Sequence, residues 1–141
     1  MSPQNFHASC MAIGEFGLLI RGDSGSGKSD LVLRLLDEAR GATLVADDQV
    51  LISEQDGALI ARAPAVLAGK LEIRGQGIVT CPYLACVKLS HIIDLVALAE
   101  ISRMPEASEL QSSFMNHVFP CLRLDGKQAS APARIRAFLQ R

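Results

Sequence analysis

Residues Gly22 to Ser29 read GDSGSGKS, which meets every fixed position of the G-x-x-x-x-G-K-[ST] phosphate-binding pattern. Gly22, Gly25 and Gly27 allow backbone turns closed to residues with a Cβ, so that N–H groups along Asp23, Ser24 and Ser26 can converge on phosphate oxygens. Lys28 carries a cation to the β- and γ-phosphates, and Ser29 offers a hydroxyl where Mg²⁺ would sit. A helix starting here adds its positive N-terminal end to the same anion. The chemistry such residues serve is phosphoryl transfer from ATP with Mg²⁺.

Two carboxylates, Asp47 and Asp48, stand at the end of the apolar run Leu44-Val45-Ala46. This resembles a Walker B strand: one acid holds Mg²⁺ directly or through water, and its neighbour can take the proton of an attacking hydroxyl. The same pair also suits a surface turn. A third cluster is Gly69-Lys70-Leu71-Glu72-Ile73-Arg74-Gly75-Gln76-Gly77-Ile78-Val79. Read as extended chain, it sets Glu72 and Arg74 on one face and Leu71 and Ile73 on the other, presenting an acid for metal and a cation for phosphate. An edge strand with a surface ion pair fits that pattern as well.

A phosphate loop needs a strand before it and a helix after it. Gly17 to Arg21 is a short apolar run that predicts the strand. Leu31, Val32, Leu35, Leu36 and Ala39 recur at helical spacing, with Asp30/Arg34 and Arg34/Glu38 as i,i+4 pairs and Gly41 as a stop. Phe6 to Ala12 alternates like a strand, and Ile13 to Phe16 predicts a hairpin connection into the loop strand. Thr43 to Ala46 predicts a strand. Val50 to Ser53 and Ala58 to Ala63 flank an Asp-Gly turn, a second hairpin. Leu89 to Leu98 and Val118 to Leu124 predict strands, Ala133 to Gln140 a basic amphipathic helix, and Ala99 to Met115 shows no decisive period.

The 141 residues, 49% of them apolar, suit one compact domain with its own core. A net charge of −1 gives no basic footprint, so nucleic acid is not an expected partner. The chain has no signal-like N-terminus and no uncharged apolar stretch of about 18 residues. A cytoplasmic protein without a membrane partner is therefore expected. Cys10, Cys81, Cys86 and Cys121 lack zinc spacing and read as reduced core thiols.

In combination, GDSGSGKS, LVADD and LEIRGQGIV closely resemble the catalytic domain of the HPr kinase/phosphorylase family, bacterial enzymes that phosphorylate a seryl residue of the phosphocarrier protein HPr. His7 adds to the likeness, because the family carries a functional histidine on the strand before the phosphate loop at about this distance. The resemblance runs from Phe6 to about Val79 and thins beyond, where Arg103, in Ser102-Arg103-Met104-Pro105, is matched to the family's catalytic arginine.

The resemblance implies an α/β fold, a P-loop-containing mixed sheet with flanking helices of the HPr kinase C-terminal domain type, similar to PEP carboxykinase. It implies that Lys28 and the loop amides hold the donor phosphates of ATP and that Ser29 and Glu72 bind Mg²⁺ with support from Asp47. Asp48 would be the general base towards the serine hydroxyl, and the general acid in reverse. His7 would contact the transferred phosphate or shape the base, and Arg103 would stabilise transition-state charge. The implied partner is an HPr-like phosphocarrier and the implied assembly a homo-oligomer, a hexamer. Residues 1–141 would form a single catalytic domain, a short form without the N-terminal domain that family members commonly carry. The proline-glycine-arginine-asparagine loop tied to phosphorolysis is not found after Leu98, so the kinase direction alone keeps its motifs.

Arg123, Lys127, Arg134, Arg136 and Arg141 stand against only Asp125 in the C-terminal stretch. They suit either a docking surface for an acidic partner or a solvated helix face above inward Ile135, Phe138 and Leu139. The motifs define a reaction and not its acceptor, so a small-molecule kinase and a non-catalytic nucleotide-binding regulator are the competing readings.

Overall fold

The computed structural model describes residues 2–141, among which lie twelve β-strands and two α-helices. The chain opens with β1 (Gln4–Phe6), β2 (Ser9–Ile13) and β3 (Phe16–Arg21), followed by α1 (Lys28–Glu38) and β4 (Ala42–Ala46). Next come β5 (Val50–Gln55), β6 (Ala58–Arg62), β7 (Lys70–Ile73), β8 (Gly77–Thr80), β9 (Val87–Lys88) and β10 (His91–Leu95). β11 (Gln111–Phe114), β12 (His117–Leu124) and α2 (Ala131–Leu139) complete it. This is the mixed α/β architecture expected from the sequence.

A six-stranded sheet in the order β11-β12-β10-β3-β2-β4 forms the middle layer. β10 is parallel to both β3 and β12, whereas β2 runs antiparallel to β3 and β4. β4 therefore points the same way as β3. Four strands, β4, β3, β10 and β12, thus deliver their carboxyl ends to one edge, the edge at which open α/β sheets hold ligands. The phosphate loop follows β3 and the Asp47-Asp48 pair follows β4, so this topology brings both to that edge.

Both faces of the sheet are covered. On one, Leu31, Val32 and Leu35 of α1 and Ile135 and Leu139 of α2 pack against Leu18, Ile20 and Ile93. On the other, Cys10, Leu19 and Ile92 pack against Ile52, Leu59 and Ala61 of a four-stranded sheet, β1-β5-β6-β9. Each large apolar side chain so enclosed contributes about 1.5–3 kcal/mol of hydrophobic stabilisation. With cover on both sides, every residue of β2 is buried, which the alternating pattern in the sequence does not reveal.

The structure bears out the predicted hairpins and revises several boundaries. Gly14 turns β2 into β3 with φ +59°, and Asp56 and Gly57, at φ +52° and +80°, turn β5 into β6. The strand expected from Phe6 to Ala12 is broken at His7-Ala8, where the chain leaves one sheet for the other. Lys70 to Val79 is a hairpin and not one extended segment: Arg74 sits in its turn, and no Glu72–Arg74 ion pair forms among the described residues. Arg34 meets Asp30 at 3.0 Å as expected, but it then donates to the carbonyls of Gly126 and Gln128 instead of pairing with Glu38. Only Cys10 and Cys121 are core thiols. Cys81 is half-buried and Cys86 exposed.

Candidate active site

The phosphate loop is shaped by its glycines in two ways. Gly25 and Gly27 adopt φ +83° and +94°, left-handed backbone that disfavours a side chain. Gly22 does not, but a Cβ there would lie 2.5 Å from Ser26 Oγ, so glycine lets the loop close on itself. Gly27 is also the N-cap of α1 with no side-chain cap. The first N–H groups of the helix are thereby kept for an anion. Ser26 Oγ is buried without a hydrogen-bond partner inside the same loop. Lys28 is buried, its Nζ donating to the carbonyl oxygens of Gly22 at 2.6 Å and Asp23 at 3.1 Å.

The adjacent acids Asp47 and Asp48 have opposite environments. Asp47 is 6% exposed. Its Oδ1 accepts the hydroxyls of Ser9 and Ser29, both at 2.9 Å, and its Oδ2 accepts the Ser29 hydroxyl at 3.0 Å and the Glu72 backbone N–H at 3.4 Å. Asp48 has φ +70°, a conformation aspartate tolerates better than most residues, and an exposed side chain. His7 Nδ1 lies 3.3 Å from Asp48 Oδ1. One carboxylate is thus buried and held by hydroxyl and backbone donors, while the other is exposed with His7 beside it.

Local folding explains the second contact. The chain crosses from the four-stranded to the six-stranded sheet at residues 7–8 and crosses back at residues 47–49. The two crossings run side by side, joined by Ala8 N–H donating to Asp48 O at 3.2 Å and by Asn5 Nδ2 donating to Gln49 Oε1 at 3.1 Å.

Glu72 reaches Asp47 through its backbone, while its side chain is exposed. Among the described residues no group of three or more His, Cys, Asp or Glu is arranged around a common metal position. The Ser29 hydroxyl and Asp47 carboxylate are hard oxygen donors, and this small set fits Mg²⁺, which keeps waters and phosphate oxygens as its remaining ligands. Arg103 does not line the cleft beside the phosphate loop; it lines a second cleft against α2.

The cleft on the β10 and β12 side of the loop has a volume of about 720 Å³ and is bordered by Gly22 to Ser26, Arg21, Asp94, Arg123 and Lys127. At its wall Arg21 forms a bidentate pair with Asp94, Nε to Oδ1 at 2.7 Å and Nη2 to Oδ2 at 2.8 Å, which ties the end of β3 to the end of β10. The hydrogen bond to Asp94 pushes the Arg21 pKa further up. Cys121 Sγ donates to Asp94 Oδ2 at 3.4 Å, and burial, then the neighbouring carboxylate, pushes its thiol up to about 12. Sequence reasoning missed Ser9, Arg21 and Asp94. The available signal was a lone polar or charged residue at the end of an otherwise apolar strand.

Comparison with known proteins matches residues 1–116 to the family described as HPr Serine kinase C-terminal domain. The chain belongs to this HPr serine kinase family. It is 40% identical over 100 residues to the HPr kinase/phosphorylase of Clostridium tetani (strain Massachusetts / E88), covering 71% of this chain and 32% of that protein. It is 45% identical over 80 residues to the HPr kinase/phosphorylase of Clostridium perfringens (strain SM101 / Type A), covering 56% of this chain and 25% of that protein. The matched region thus spans a third or less of these relatives. The Hpr(Ser) kinase/phosphatase from Coxiella burnetii superposes with a TM-score of 0.83 at 24% identity, over 97% of this chain and 88% of that one, which shows a shared fold. No helix among the described residues is long and apolar enough to cross a membrane.

Proposed function

We propose that this chain is the catalytic unit of a cytoplasmic, Mg²⁺-dependent protein serine kinase that transfers the γ-phosphoryl group of ATP to a seryl hydroxyl of an HPr-type phosphocarrier. The observation that carries the reading is the division of labour between Asp47, held by Ser9 and Ser29, and Asp48, exposed beside His7. Phosphoryl transfer needs little covalent help from a protein beyond positioning, charge neutralisation and a base.

Lys28 and the N–H groups of Gly25 to Ser29 hold the donor phosphates, and the partnerless Ser26 hydroxyl donates to one of their oxygens. Ser29 and Asp47, with Glu72, would hold Mg²⁺, which when bound would neutralise charge on the donor phosphates. Asp48 accepts the seryl proton as the seryl oxygen bonds to the γ-phosphorus and the bond to ADP breaks. His7 orients that carboxylate. Arg103, which borders the second cleft, enters this scheme through the family likeness alone, as the cation that stabilises transition-state charge. The family likeness further supports an oligomer, a hexamer, and a phosphocarrier that serves as the partner.

The test is incubation of the purified protein with Mg·ATP and HPr-type phosphocarriers, read by intact mass. One added phosphate on serine supports the reading, and its persistence in excess inorganic phosphate marks a kinase without phosphorolysis. Nucleotide binding with no transfer to any phosphocarrier would sink it in favour of a small-molecule kinase or a regulator.

A further inference from the structure

A second cleft, of about 330 Å³, lies between the segment Ile101 to Leu110 and the C-terminal half of α2. Its floor is apolar, built from Leu110, Leu122, Leu124 and Phe138. The same lining includes four arginines, Arg103, Arg123, Arg134 and Arg141, against a single acidic side chain, Glu109. Four of the 14 lysine and arginine side chains of a chain with net charge −1 therefore gather at one small opening.

These arginines are not consumed by internal ion pairs. Among the described residues none of the four lies within 4.0 Å of a carboxylate oxygen as a salt bridge. Two are held by neutral partners: Arg134 Nε donates to Ser130 Oγ at 2.8 Å, and the Arg141 guanidinium sits 5.6 Å from the Phe138 ring centroid. Such contacts restrain the side chains and leave their charge uncompensated.

We propose that this cleft is a second anion-binding site, separate from the phosphate loop, for a small organic molecule that carries a phosphate or carboxylate group on an apolar body. The anion is held by planar guanidinium forks, which match both groups bidentately. The apolar body covers Leu110, Leu122 and Phe138. A cleft of this volume takes a small molecule, whereas a stable protein partner needs roughly 800 Å² of surface on each side. Arg123 borders both clefts, so the ligand draws on a side chain that the phosphate-loop cleft also uses.

The site is tested by titrating the ¹⁵N-labelled protein with phenyl phosphate, benzoate and inorganic phosphate, following amide shifts. The expected result is a saturable shift at Leu110, Leu122 and Ala137, with phenyl phosphate at least about fivefold tighter than inorganic phosphate because its ring adds apolar burial. Benzoate at the same amides assigns the site to carboxylates as well. The shifts persist in Lys28→Ala, which cripples the phosphate loop, and vanish in the Arg103→Gln/Arg134→Gln double variant. If that variant misfolds, Ala137→Glu serves instead, placing a carboxylate among the arginines to block the cleft. Shifts confined to Gly25, Gly27 and Lys28, non-saturating shifts at the cleft, or shifts unaffected by both cleft variants would overturn the proposal.

Discussion

His7 Nδ1 lies 3.3 Å from Asp48 Oδ1, although the two residues are forty-one positions apart in the chain. They meet because each sits where the backbone crosses between the two sheets, and the crossings are hydrogen-bonded side by side. Under the proposed function His7 is the side chain that orients the exposed Asp48 carboxylate, for which no other side-chain partner occurs among the described residues. Asp48→Asn is expected to lower the transfer rate about 10²–10⁴-fold, the usual range for loss of a positioned base, with Mg·ADP affinity unchanged by calorimetry. His7→Ala should cost less, about tenfold in kcat with KM unchanged, since it acts through Asp48. Equal loss of nucleotide affinity in either variant would place these residues in binding instead.

Asp47 carries the opposite expectation. Its carboxylate accepts two hydroxyls in a buried setting, so Asp47→Ala strands Ser9 and Ser29 and should destabilise the fold by about 1–3 kcal/mol. It should also raise the Mg²⁺ concentration needed for nucleotide binding. Asp48→Gly, which removes the exposed carboxylate and relieves φ +70°, should by contrast leave the melting temperature unchanged or slightly higher while abolishing transfer. Denaturant melts of the two variants separate the scaffold acid from the reactive one.

The phosphate loop, its flanking strand and helix, and both acidic residues were legible in the sequence because each is local: a fixed octapeptide, a strand end, a helical period. What escaped depended on distant pairing. Ser9 acquires meaning only when β2 is laid beside β4, and Asp94 only when β10 is laid beside β3. The β11–β12 hairpin was hidden for a different reason. Its turn places Met115 and Asn116 at φ +48° and +64°, and a methionine in left-handed backbone carries no turn signal. Arg103 was matched through family likeness alone, and no pattern in its own neighbourhood indicated which cleft it would border.

The Arg21–Asp94 pair joins the strand that leads into the phosphate loop to its parallel neighbour, with both side chains mostly buried. Asp94→Ala leaves the guanidinium without its carboxylate and is expected to cost about 1–3 kcal/mol. It should also weaken nucleotide binding several-fold, because Arg21 immediately precedes Gly22. Unchanged affinity with the full stability loss would limit the pair to a scaffold role.

Thiol chemistry gives the last expectation, and its sign follows from burial. Cys121 has its pKa pushed up to about 12, and burial pushes Cys10 upwards as well, so in the folded protein both stay protonated at mildly alkaline pH. Cys86 is exposed, and Cys81 is half-buried with its thiol raised by burial and then by Asp47. Iodoacetamide at pH 8 should therefore label Cys86 first, Cys81 slowly, and Cys10 and Cys121 only after denaturation, as read by peptide mass. In the unfolded chain Cys10 and Cys121 ionise near the ordinary thiol value, so above about pH 9 the unfolded state binds fewer protons than the folded one. Stability should accordingly fall as pH rises from about 9 towards 12, on the order of 1 kcal/mol per pH unit for each buried thiol. A Cys10→Ala/Cys121→Ala variant should lose that slope whatever its absolute stability, and an unchanged slope would show that other groups govern the alkaline limb.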